Sequence, residues 1–265
     1  MEFLKSSKRR SLLSELIYVL LNIAFAVAVL GVVWAIESPV AAFVLVVLSK
    51  WRVLAVRPRY WFANIQANLV DIIVSLSIVV LLYSANGAPI AQCIVTALYI
   101  VWLLFIKPRS KRAYVSAQAG IATFLGVTAL MSTSYDWDTA IVVLLMWIIG
   151  YSTARHVLGS YEEAHISFYS LVWGLIVAEL GWLAYHWTFA YAIPGIGDIQ
   201  LSQVALIMLA ISFLAERVYA SYTRHGSVKS SDVILPSLLS VSVILVVLIF
   251  FNKIVSLSFC KPVSA

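Results

Sequence analysis

Four side chains that exchange hydrogen bonds or protons, Asn64, Asn68, Asp71 and Ser75, recur at i, i+4, i+7 and i+11 of one long apolar run. On a helix that spacing puts all four on a single face. A second group lies in another apolar run: Glu179, with Trp182 at i+3 and His186 at i+7 on its face and Tyr185 alongside. Carboxylates and an imidazole at such positions have the chemistry to pass a proton or a small cation between depths, with Asn68, Asp71, Ser75, Glu179 and His186 as the candidate polar path. The plainer expectation for each is mechanical. Asp71 would accept a snorkelling Arg52 or Arg57 and clamp two helices, and Glu179 would be hydrogen-bonded to a neighbouring helix as packing glue.

A third set is Arg155, His156, Glu163, His165 and Glu216, expected at the ends of apolar runs as a mixed-charge rim. These residue types could do acid–base work on a lipid or peptide, but no nucleophile and base fall together at a usable spacing. Glu162-Glu163 followed by His165 resembles the paired glutamates of the CAAX-protease-like membrane proteins. That likeness ends at Ser167, where the family carries Arg, and the family's later Phe-x-x-x-His element is absent. Ser152 and His186 would stand roughly 20 Å apart along the membrane normal, too far for a serine–histidine pair. No His-Glu-x-x-His helix occurs, and His156 and His165 read as solvated rim residues, so neither metal nor cofactor is expected. Gly174, Ala178 and Gly181 at i, i+4 and i+7 read as a small-residue seam for close helix contact.

The elements that must position these groups follow from composition. The 265 residues are 63% hydrophobic and only 11% charged, with mean hydropathy +0.99. Such a chain lacks the polar surface to face water, and lipid must be its solvent. An all-α bundle of about nine membrane-crossing helices is therefore expected, over approximately 12–36, 40–56, 65–83, 88–106, 114–132, 139–158, 167–191, 199–222 and 233–257. Each is long enough, or nearly so, to cross ~30 Å of hydrocarbon at ~1.5 Å per residue. The second is the least regular, because its unbroken apolar core ends at Leu48 ahead of Lys50 and Arg52. The first run is too long for a signal-peptide core and reads as an uncleaved span. The connections are short, so residues 1–265 are expected to form one embedded unit with no soluble domain.

Threaded this way, sixteen of the eighteen Lys and Arg residues fall on the starting side, leaving only Lys253 and Lys261 across the membrane. The positive-inside bias then places the N-terminus in the cytoplasm and the C-terminus outside, in a cell (plasma or inner) membrane. The net charge of +6 implies attraction to anionic lipid headgroups at the cytoplasmic Lys/Arg clusters, not to nucleic acid. Arg57-Pro58-Arg59 and Lys107-Pro108-Arg109 read as two independent stop signals, Pro ending the helix and the cations holding its end inside. Cys93 and Cys260 form no framework. Three functions remain in view: a transporter or permeation protein for a small solute, ion or lipid; a non-catalytic subunit or scaffold; and an intramembrane enzyme at the cytoplasmic rim.

Overall fold

A computed structural model describes residues 2–186, 190–192 and 200–250. The long helices are α1 (Glu2–Ala35), α4 (Trp61–Ser84), α5 (Pro89–Val101), α6 (Arg112–Thr133), α7 (Thr139–Gly159), α8 (Ile166–His186), α9 (Gln203–His225) and α10 (Ser230–Phe250). Between α1 and α4 lie two shorter ones, α2 (Pro39–Ser49) and α3 (Trp51–Leu54). The fold is an all-α helical bundle, and among the described residues eight helices are long and apolar enough to cross a membrane. It is an integral membrane protein by that measure. Helix boundaries follow local chemistry. Proline opens α2 and α5, where its missing N–H would have no partner anyway. The Asp138 carboxylate accepts from the Ala140 N–H at 2.7 Å to cap α7. Gly226, at φ 69°, closes α9 in the left-handed conformation that other residues resist.

The expected second span is the one that departs from a continuous helix. The α2 helix has 11 residues, about 16 Å at 1.5 Å per residue, too short to cross alone. At Lys50 the backbone leaves helical geometry (φ −93°, ψ 10°) and α3 follows. The segment nevertheless runs the whole length of α4. At one end the Tyr83 hydroxyl donates to the carbonyls of Ile36 (2.9 Å) and Ser38 (3.0 Å). At the other, the Trp61 indole N–H donates to Leu54 and Val56, both at 2.9 Å. Among the described residues it is thus a broken, shorter apolar segment lying along α4 beside the eight long helices.

Two further boundaries differ from expectation. The seventh span is described as helix as far as His186, and Tyr191 lies instead in β1 (Ala190–Ala192), paired antiparallel with β2 (Gln200–Ser202). The end of the ninth span, and Lys253, Cys260 and Lys261, lie outside the described residues.

The core forms in two regions. One packs α1, α2, α4 and α5 around Val29, Val46, Val74, Leu82 and Tyr99. The other packs α6 to α9 around Val127, Val142, Met146, Val177 and Met208. They join where α4 meets α6: a Cβ at Gly126 would stand 3.0 Å from Ile73 Cγ2. The seam on α8 is a true close contact with α7, since Gly174 lies against Trp147 and Gly181 against Met146. The end of α5 widens into a π turn over Trp102–Ile106, in which the Lys107 N–H donates to the Trp102 carbonyl at 2.9 Å.

Candidate functional site

Asp71 is where the bundle concentrates buried charge. The α4 helix carries it one turn above Asn68 and one below Ser75, and its side chain is 12% exposed. The cations that reach it are Lys50 and Lys107, in place of the expected Arg52 or Arg57. Lys50 arrives because the chain breaks out of α2 at that residue, and its ammonium ion-pairs with Asp71 Oδ2. Lys107 arrives from the end of the π turn, 2.9 Å from the same oxygen. Three consecutive traverses are thereby pinned at one carboxylate. Two positive charges meet one negative, leaving a net +1, and Asp71 Oδ1 is buried with no hydrogen-bond partner.

The polar stripe continues from this carboxylate, but as a set of local bonds. Asn68 Nδ2 donates to the Asn64 carbonyl at 2.8 Å, and Asn64 Nδ2 donates to Val53 at 2.6 Å. Ser75 Oγ donates to the Asp71 carbonyl at 2.7 Å and accepts from the Tyr99 hydroxyl at 3.0 Å. Asn68, Asp71 and Ser75 are thus brought together, with Tyr99 closing the line above them.

Glu179 and His186 do not join that line. Both are exposed on the outward face of α8, and Glu179 has neither hydrogen bond nor ion pair among the described residues. Its seam neighbours, Ala178 and Gly181, face the other way into α7. His186 Nδ1 lies 2.9 Å from the Trp182 carbonyl, its ring 4.7 Å from the indole. Glu179 lies about 20 Å along α8 from its start and about 10 Å from His186, the last described residue of the helix.

The rim residues are assembled as braces. Glu216 accepts from Tyr161 at 2.9 Å and from Ser116 at 3.2 Å, with Arg217 beside it at 3.4 Å. Arg112 lies over the Tyr161 ring at 4.1 Å. Glu163 accepts from the Tyr219 hydroxyl and, at 3.2 Å, from the backbone N–H of His165. That backbone contact is what joins Glu163 to His165; the imidazole of His165 lies edge-on to Tyr169. His156 Nε2 is 2.7 Å from Gln118 Oε1, and Arg155 donates to Ser167 Oγ at 3.3 Å. Burial and the Glu216 hydrogen bond push the Tyr161 hydroxyl up to about 12. The Tyr219 hydrogen bond holds the Glu163 carboxyl below the ordinary carboxylate value. Among the described residues no three of His, Cys, Asp and Glu gather as a metal set.

Two of the buried glutamines, Gln118 and Gln92, brace the polar interior. Gln118 Nε2 donates to the carbonyls of Ile106 (2.7 Å) and Arg109 (2.9 Å), capping the end of the π turn. Gln92 donates to Leu82 at 3.0 Å and accepts from Trp34 at 2.7 Å. Their signal in the sequence is plain once sought: an amide deep in an apolar run needs partners. Compared with protein-family models, curated proteins and solved structures, the chain matches none.

Proposed function

We propose that the protein is a non-catalytic membrane subunit that works by associating with other membrane-embedded chains, its basic end in the cytoplasm against anionic headgroups of a cell membrane. The single observation that carries this is the outward aim of Glu179. An ionisable group inside the hydrocarbon costs roughly 2.5–3.5 kcal/mol at a helix centre, and such groups as a rule face a partner. Here the described chain supplies none, while the interior groups Asp71, Gln92 and Gln118 are bonded across helices. A conduit for solute or ion would set Glu179 and Asp71 on one interior line, and a rim enzyme would set the His165 ring against Glu163; neither arrangement is present.

The test is the mass of the species extracted gently from native membranes. A particle well above the 29.3 kDa chain, with Glu179→Gln leaving solute flux in reconstituted vesicles unchanged, supports the reading. A solitary chain, or a flux that Glu179→Gln abolishes, refutes it.

A further inference from the structure

Two helices stop short beside α4. The α2 helix ends ahead of Lys50, the π turn that closes α5 ends ahead of Lys107, and both lysines meet Asp71. Asp71 stands ten residues beyond Trp61, the first residue of α4, so these ends lie about 15 Å along the helix from its basic end. On the α2 side the chain continues downward as α3. On the α5 side it turns back at Lys107 through an exposed segment, Pro108 to Lys111, before α6 begins. The adjoining helix is α1, whose Tyr18 hydroxyl donates to the Leu103 carbonyl at 3.4 Å. Its residues 13–21 are exposed apart from Val19. A bilayer thins to meet a short apolar stretch, which draws headgroups down to the level where that stretch ends.

The charge at that level is unbalanced. Lys50 and Lys107 share one carboxylate, and among the described residues no second acid pairs with either, Glu15 of α1 included. Each ammonium has three N–H donors and directs one to Asp71 Oδ2. Lys107 is the one that opens outward, its side chain 35% exposed against 13% for Lys50. Net positive charge at hydrocarbon depth is costly, and an anion of charge −1 cancels it.

We propose that Lys107, backed by Lys50, seats the phosphate of an anionic phospholipid beside the end of α5. A lipid is favoured over dissolved phosphate on two grounds. The cations lie below the helix ends, where a hydrated ion does not enter readily. Exposed apolar side chains also flank them, Ile17 and Leu21 on α1 and Val101 and Phe105 on α5, as acyl chains require. A single lipid bound here is a site, distinct from diffuse attraction of a basic surface to headgroups. It goes beyond the association reading and does not rest on it.

The experiment uses the full chain, delipidated in detergent, with phosphatidylglycerol, phosphatidylcholine or inorganic phosphate added back. Native mass spectrometry counts the lipid retained, and thermal unfolding reads its effect. Phosphatidylglycerol is expected to leave one lipid held per chain and to raise the midpoint. Lys107→Met is expected to weaken retention roughly fivefold to tenfold, and Lys107→Arg to keep it. Lys229→Met removes the same charge from the exposed α9–α10 turn and is expected to change retention by under about twofold. Equal retention of phosphatidylcholine overturns the proposal, as does an equal loss in Lys229→Met and Lys107→Met. Stabilisation by inorganic phosphate alone that matches the lipid's also overturns it.

Discussion

Replacing Asp71 by Leu is expected to be the most damaging single change in the first half of the bundle, and the geometry says by how much. The substitution strands two ammonium groups that share one carboxylate oxygen. They are not equally trapped. Lys107 is 35% exposed and can swing its end to the headgroup layer, whereas Lys50 is 13% exposed and sits at a break in its helix. One stranded buried cation, not two, sets the cost, so the lower end of the usual range for breaking a buried pair applies, about 3 kcal/mol. At 2–4 °C per kcal/mol for a chain of this size, the midpoint should fall by about 6–12 °C. Lys107→Met should cost under about 0.5 kcal/mol, because it leaves a balanced Lys50–Asp71 pair and removes a like-charge neighbour. The double variant Lys50→Met/Asp71→Leu should regain most of the loss, since no charge is then left alone. The assay is thermal unfolding of the purified protein in detergent across these variants. If Asp71→Leu melts with Lys107→Met, or the double variant melts below Asp71→Leu, the buried-charge reasoning is wrong.

Three other outcomes are expected. Gln118→Leu leaves the Ile106 and Arg109 carbonyls and His156 without their amide, which should cost about 2–3 kcal/mol in the same melting assay. Gly150→Ala would put a Cβ 2.6 Å from Val177 Cβ, forcing α7 from α8 at about 1–3 kcal/mol, whereas Gly31→Ala meets nothing within 4 Å and should be neutral or mildly stabilising. The lowered Glu163 value means its contribution is full above the unfolded carboxylate value of about 4.5 and is lost as pH falls through the folded one. Tyr219→Phe removes the leading cause, so its drop in melting temperature between about pH 6 and about pH 3 should be smaller than the parent's.

The membrane class was legible, because a chain of long apolar runs with so few charges has one physical reading. The second traverse was half legible: Lys50 announced trouble, but a window of hydropathy cannot tell a lysine that snorkels outward from one that turns inward to a carboxylate. Choosing Arg52 or Arg57 as Asp71's partner failed for the same reason, and because Lys107 is brought round by a π turn that leaves no mark in a 3.6-residue pattern. The seam at Gly174, Ala178 and Gly181 was read correctly as contact, since small residues permit close backbones whatever the neighbour. Glu179 shows the opposite limit. Which way a residue points around a uniformly apolar helix is not written in the sequence, and inward was assumed on cost alone.

The π turn at Trp102–Ile106 has an evolutionary corollary. A wide turn of this kind is an α-helix holding one residue too many, and each residue turns the chain by about 100°. Closing that turn without removing a residue would swing the following lysine by about 100°, away from its carboxylate, whereas deleting one amino acid would leave it nearly in place. The winding of the backbone, at that point, is as much a part of the ion pair as the choice of side chain.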